Sequence, residues 1–191
     1  MTAPTLDDAF ARLKEGTVGD EEVYRALAPV YRVLYASRGR ISGQFDLVAS
    51  VTPTDGRVLE LGCGTGDLLD RLQAYKTVGV DPSPAMCRLA RDCTGGAAVV
   101  TGTASALAPV SVDTVAAMGA VLGHIPVEAL DETLANVRNA LRPGGRFVCS
   151  VHARAGVETA REQKQGRAAT DGLSGGYERE LTTETRGYRI T

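Results

Sequence analysis

From Val58 to Val151 short apolar runs alternate with amphipathic segments, and few folds accept that order. Val58 to Leu61, Thr77 to Val80, Ala97 to Val100, Val112 to Met118 and Arg146 to Val151 read as five strands. A helix is expected around Asp67 to Tyr75. A second opens near Ser83, a residue suited to capping, with Pro84 in the first turn where its missing N–H does no harm. A third covers Pro126 to Leu141, with Val127, Leu130, Leu134, Val137 and Leu141 on one face, and stops at Pro143-Gly144-Gly145. Strands apolar on both faces that alternate with helices make a parallel sheet covered on each side. The expected class is therefore α/β: a doubly wound, mostly parallel sheet with helices on both faces.

The flanks carry weaker signals. Val23, Leu27, Val30, Tyr31 and Leu34 form a helical stripe, which Pro29 interrupts. From Ala155 to Gly176 the composition turns polar and Gly-rich, which suggests a weak helix and a mobile loop. Tyr177 to Thr191 is strand-like, with Arg186-Gly187 as a turn. The expected organisation is one domain: a helical cap over 1–45, a core over 55–152, and a loop with short terminal strands over 153–191.

At 191 residues the chain has room for one domain of roughly 150 residues, and its 43% hydrophobic and 23% charged content is that of a soluble globular protein. The formal charge is -2 and the 21 Lys and Arg residues are scattered, so nothing asks for a nucleic-acid partner. No stretch approaches the roughly 20 apolar residues of a membrane span, and the acidic start is no signal peptide, so a cytoplasmic location is expected. Cys63, Cys87, Cys93 and Cys149 contain no C-x-x-C pair, and the two histidines, His124 and His152, form no H-x-x-x-H pattern. A protein-held metal is not expected, and the thiols read as packing in a reducing compartment.

The chemistry concentrates in Val58-Leu-Glu-Leu-Gly-Cys-Gly-Thr-Gly66. A strand ends in an acid, Glu60, and runs into Gly62-x-Gly64-x-Gly66 before a helix begins. Glycines there let backbone approach a ligand closely and tolerate positive φ, although a tight strand-to-helix turn wants them too. Asp81 ends the second strand, where its carboxylate can accept from both ribose hydroxyls or cap the helix that follows. The dinucleotide fingerprint G-x-G-x-x-G differs in spacing and has no acid before it, which makes a nicotinamide-dependent oxidoreductase improbable.

Together these residues resemble the class I S-adenosylmethionine-dependent methyltransferases, whose fold is Rossmann-like. Val58 to Gly66 is similar to their first motif, E/D-x-G-x-G-x-G, and Asp81 to their ribose-binding acid. Asp113 to Pro126 is similar to the region of strand four, and Leu141-Arg-Pro-Gly-Gly145 to the lead-in of strand five. The resemblance covers residues 20 to 152. The opening Tyr24 to Tyr31, with Tyr35 and Arg38-Gly39, is similar to small-molecule members such as sugar N-methyltransferases, the glycine/sarcosine type and quinone-type C-methyltransferases.

The resemblance implies S-adenosylmethionine as cofactor and assigns roles by position. Gly62, Cys63 and Gly64 face its methionine part and ribose. Glu60 holds the loop or hydrogen-bonds the amino group. Arg38 faces the carboxylate, or is a plain surface residue. Pro82 and Met86 flank the adenine, and Met118 belongs with the cofactor residues at the end of strand four. Tyr31 and Tyr35 close over the methyl and sulfonium, or pack a helix face. Where many members carry Gly-Asp-Ala after strand three, this chain reads Gly102-Thr103-Ala104. A hydrogen bond to a charged group contributes roughly 1.5–3 kcal/mol against about 1 for a neutral one, so weaker cofactor binding follows.

Methyl transfer from a sulfonium is an in-line displacement with a neutral leaving group, and a base is needed only if the nucleophile arrives protonated. His124 is the best-placed base and Tyr35 the accompanying catalytic residue; packing or helix capping is the other reading of His124. The N/D-P-P-Y motif of enzymes acting on nucleic-acid bases is absent, as is a Pro-Cys nucleophile, and no carboxylate lies between Met118 and Pro126 for a catechol-type metal. A small-molecule N, O or C nucleophile is the expected acceptor; the alternative is a cofactor-binding module that lacks a complete acceptor lid. The carboxyl-terminal strands are expected to be shortened, leaving an exposed sheet edge through which a homodimer would form.

Overall fold

The computed structural model describes residues 38–95, 97–107 and 109–151, with residues 24, 25, 27, 28, 31 and 32 before them and the backbone of strands at 165–170, 173–181 and 188–190 after them. The chain falls into two compact units, Ser37–Val151 and a second formed from the residues on either side of it.

Within Ser37–Val151 the elements run α1 (Arg38–Val51), β1 (Arg57–Leu61), α2 (Asp67–Arg71), β2 (Lys76–Asp81), α3 (Pro84–Cys93), β3 (Ala98–Thr101), β4 (Val112–Ala117), α4 (Val127–Ala140) and β5 (Leu141–Cys149). Short 3-10 turns follow β3 at Ala104–Ala106 and β4 at Val121–His124. The five strands form one sheet in the order β3-β2-β1-β4-β5, every neighbouring pair parallel. The doubly wound α/β expectation is met.

Alternation along each strand sorts the core onto two faces. Leu59, Leu61, Val80, Val115 and Ala117 pack on one face with Val137 and Ala140 of α4. On the other, Val58 and Ala116 pack with Val48 of α1 and Leu68 of α2. α3 covers β3, with Cys87 and Ala90 against Val99. Gly79 of β2 is fixed by this layer: a Cβ there would lie 2.5 Å from Leu69 Cδ1 and 2.8 Å from Cys63 Sγ.

The structure changes several boundaries. α2 ends at Arg71 rather than Tyr75, because Leu72 turns into the core and its N–H bonds back to Leu68 and Leu69. β5 begins at Leu141, not Arg146. The Pro143-Gly144-Gly145 segment lies inside it as an irregularity between the pairs Val112↔Leu141 and Thr114↔Arg146, with Gly144 at φ 81. α1 runs to Val51, past the 1–45 bound of the expected cap, carried by the buried Ile41 and Val48 and the half-buried Phe45.

In the other unit, Ala28 N–H bonds Tyr24 O at 2.9 Å in a helical turn, and the Tyr24 and Tyr31 rings lie 5.9 Å apart. Where a loop was expected before Gly176, β6 (Gln165–Thr170) pairs antiparallel with β7 (Leu173–Leu181), which pairs in turn with β8 (Tyr188–Ile190). The pair Thr170↔Leu173 encloses Asp171-Gly172, a dipeptide strongly favoured in two-residue hairpins. Pro29, Tyr35, His152, the weak helix after Ala155 and the Arg186-Gly187 turn lie outside the described residues. Among the described residues no helix is long and apolar enough to cross a membrane.

Candidate functional site

The strand order reverses direction between β1 and β4, so the connections leaving their carboxyl ends diverge and open a crevice. The β1 connection is the glycine loop. Gly62, Gly64 and Gly66 all have positive φ (64, 54 and 80), for three different local needs. A Cβ on Gly62 would lie 2.5 Å from Val121 Cγ2, and one on Gly66 would lie 2.9 Å from the Ala90 backbone. These two glycines are therefore packed, one under the β4 connection and one against α3. A Cβ on Gly64 would meet nothing within 4 Å. That position faces open space.

The loop is stitched to β2. Cys63 N–H donates to Val80 O at 3.1 Å, and Gly66 N–H closes a turn onto Cys63 O at 2.9 Å. Gly64 N–H donates to Asp81 Oδ2 at 2.9 Å, while Ser83 N–H donates to Asp81 Oδ1 at 2.9 Å. Asp81 thus binds the glycine loop to the start of α3, where Ser83 Oγ accepts from Met86 N–H as the expected cap. Burial raises the Asp81 carboxyl above the usual range against the lowering by those two amides. Each oxygen keeps a second lone pair for another donor.

Glu60 sits one step deeper, at 4% exposure, and its Oε2 has no hydrogen-bond partner. Its strand partners Gly79 and Ala116 place it on the face covered by α1 to α3. Burial pushes its carboxyl well above the ordinary value, and the neighbouring Asp81 and Asp67 push the same way. Burial also raises the Cys63 thiol, with Glu60 and Asp81 adding to the effect, so Cys63 is an inert packing thiol rather than a nucleophile.

The other expected residues distribute around this centre. Pro82 is exposed just past β2, and Met86, in the first turn of α3, is only 1% exposed. Thr103 is exposed, with its hydroxyl 3.0 Å from Ser105 Oγ; Ala104 opens the turn that follows, and Asn136 of α4 holds that turn by donating to Ser105 O at 2.7 Å. Met118 is buried with Val58 and Ala116 just beyond β4. His124 is half-buried at the close of the 3-10 turn that carries Val121. Arg38 starts α1 with its side chain outside the description, Tyr31 belongs to the other unit, and Tyr35 is not described. Among the described residues no three His, Cys, Asp or Glu side chains are grouped to hold a metal.

Sequence reading missed Val121, whose contact with Gly62 joins the two connections, and Ser150, whose Oγ accepts from Ala120 N–H at 3.1 Å. Neither leaves a local signal, because each contact spans strands distant in sequence.

Residues 58–145 match the family described as Methyltransferase domain. No curated protein matches the chain significantly. Among solved structures, DesVI from Streptomyces venezuelae is 24% identical, with 85% of this chain and 73% of that one covered at a TM-score of 0.69. CalS10, an amino pentose methyltransferase from Micromonospora echinaspora in its S-adenosylmethionine-bound form, is 20% identical over 85% and 78% of the two chains at 0.64. KedS8, a sugar N-methyltransferase from Streptoalloteichus, is 18% identical over 85% and 75% at 0.65. The family match falls on the strands and loops that form the crevice, so residues 58–145 are similar to a methyltransferase domain, and the solved structures share the fold around them.

Proposed function

We propose that the chain transfers the methyl group of S-adenosylmethionine to a small-molecule N, O or C nucleophile, with an amino sugar as the first acceptor to try. The residues present suit the cofactor. Glu60 is a buried acid with an unpartnered oxygen, which the cationic amino group of the methionine part would satisfy. Gly64 leaves open space beside the Asp81 carboxylate, whose unused lone pairs suit ribose hydroxyls. That pairing of open loop and buried acid is the observation that carries the reading. Names borne by two of the similar structures, an amino pentose methyltransferase and a sugar N-methyltransferase, supply the acceptor class.

When bound, S-adenosylmethionine offers a methyl group on a sulfonium that leaves as a neutral thioether, so no acid catalyst is required. The chain's own task is alignment and exclusion of water. Asp81 would hold the ribose end and Glu60 the amino group, and Pro82, Thr103 and Ala104 would border the adenine, with the buried Met86 and Met118 packed behind them. His124, at the mouth of the crevice beyond β4, takes the proton of an acceptor that arrives protonated.

Calorimetric titration with S-adenosylhomocysteine, with NADH as control, tests the cofactor site on wild type and Asp81→Ala. Binding of the former alone, lost in the variant, supports the proposal; turnover with an amino sugar then tests the acceptor. Cofactor binding without turnover on any N, O or C acceptor would favour a binding module over an enzyme.

A further inference from the structure

We propose that Ser150 is a positioning residue for the cofactor loop, acting through the β4 connection. This rests on the methyltransferase reading above, and the geometry is as follows. Beyond β4, Gly119 and Ala120 both take the left-handed conformation, at φ 72 and 63. For Gly119 that conformation is free of steric cost; for Ala120 it is not, since its Cβ crowds the following carbonyl. Ser150, one residue past β5, grips this turn from both ends. Its N–H donates to Ala117 O at 3.1 Å, and its Oγ accepts the Ala120 N–H at 3.1 Å.

The residue that follows the held turn is Val121, whose Cγ2 would lie 2.5 Å from a Cβ on Gly62. Gly62 in turn sits next to Cys63 and Gly64, the amides tied to Val80 O and Asp81. The Gly123 N–H bond to Ala120 O at 2.9 Å then carries the same turn into His124. One hydroxyl at the end of β5 therefore sets where Val121 presses on the glycine loop. It also sets where the 3-10 turn delivers His124. Without it, the Ala120 N–H has no acceptor to offset the left-handed conformation, and Ala120 relaxes toward the right-handed region, which withdraws Val121 from Gly62.

The test uses Ser150→Ala, Ser150→Thr and Ser150→Ala combined with Ala120→Gly, each titrated with S-adenosylhomocysteine. Losing one hydrogen bond of ordinary net value predicts a three- to tenfold weaker affinity in Ser150→Ala. Ser150→Thr, which keeps the acceptor, stays within twofold of wild type. Ala120→Gly in the Ser150→Ala background recovers most of the loss, because glycine adopts the left-handed conformation unaided. Simple loss of packing would show no such rescue. Amide hydrogen exchange without ligand reads the same claim independently of the cofactor: exchange at residues 120–124 and 62–64 rises in Ser150→Ala and falls back in the double variant. Unchanged affinity and exchange in Ser150→Ala, or a loss that Ala120→Gly does not reverse, overturns the proposal. If wild type binds no S-adenosylhomocysteine, the methyltransferase reading fails, and the exchange experiment still decides the role of Ser150.

Discussion

Two acids in one sheet are equally buried and differently treated. Glu60 of β1 and Asp113 of β4 are each 4% exposed. Asp113, near the amino end of its strand, accepts the Arg57 N–H on Oδ2 at 2.8 Å. Its Oδ1, which like Glu60 Oε2 makes no hydrogen bond, has the Arg142 guanidinium beside it as an ion pair. The two contacts join the starts of β1, β4 and β5. Glu60, near the carboxyl end of its strand, has an orphaned oxygen and acidic neighbours. A buried acid with partners is part of the architecture, whereas a buried acid without them costs stability unless a ligand supplies the partner. The contrast separates the two ends of the sheet: one sets its buried acid beside a cation, the other leaves its buried acid among acids.

The largest effect is expected where the architecture is cut. Asp113→Ala leaves the Arg57 amide without its acceptor and removes the link to Arg142. Arg142 is half-exposed, so most of the cost comes from the backbone contact and the cavity, about 2–3 kcal/mol of stability read by urea unfolding. Affinity for S-adenosylhomocysteine, measured on the folded protein, should stay as in wild type. Asp81→Ala reverses the pattern. It frees both Gly64 and Ser83 amides and removes the carboxylate proposed to accept from the ribose, and the affinity should fall by about 10- to 100-fold, equivalent to roughly 1.4–2.8 kcal/mol.

Glu60→Gln should separate stability from binding. Because burial and neighbouring acids raise the Glu60 pKa in the fold, the folded state holds the proton more tightly than the unfolded state. Stability then falls as pH rises from the ordinary carboxyl value of 4.5 toward the raised one. The glutamine variant, with no proton to lose, should show a flatter profile across that window in thermal unfolding and be more stable than wild type near neutrality. Its cofactor affinity should drop roughly tenfold. A wild-type curve that rises over the same window would break the comparison with Asp113. The smallest effect belongs to Thr103→Asp, which restores a charged acceptor after β3 and should tighten cofactor binding by about fivefold, the difference between a charged and a neutral hydrogen bond.

The parts of this account visible in the sequence are those set by neighbours along the chain. Ser83-Pro84 marked the start of α3 through capping and proline chemistry, and the apolar runs marked all five parallel strands within a few residues. Glu60, Gly62, Gly64 and Asp81 stood out by spacing, and the structure brings them together through Gly64 N–H and the Asp81 carboxylate. Tertiary contacts decided the rest. The helical cap was expected over 1–45, yet packing of Ile41, Phe45 and Val48 carries α1 on to Val51. Pro143-Gly144-Gly145 looked like a stop and is tolerated inside β5, where the pairing with β4 shifts register around it. Asp171-Gly172 was a hairpin signal in plain view, outweighed by the polar composition around it. The grip of Ser150 on Ala120 could be found only once β4 and β5 lay side by side.

The direct test of the central claim, that Glu60 is a buried acid with an unpartnered oxygen kept for a cationic ligand group, is proton release on binding. S-adenosylhomocysteine is titrated calorimetrically into wild type and Glu60→Gln between pH 5 and 8, in buffers of different ionisation enthalpy. The account predicts that wild type releases a proton and binds more tightly as pH rises, and that both effects are largely absent in the glutamine variant. Binding to wild type with no proton release, or with the same pH dependence in Glu60→Gln, would contradict it.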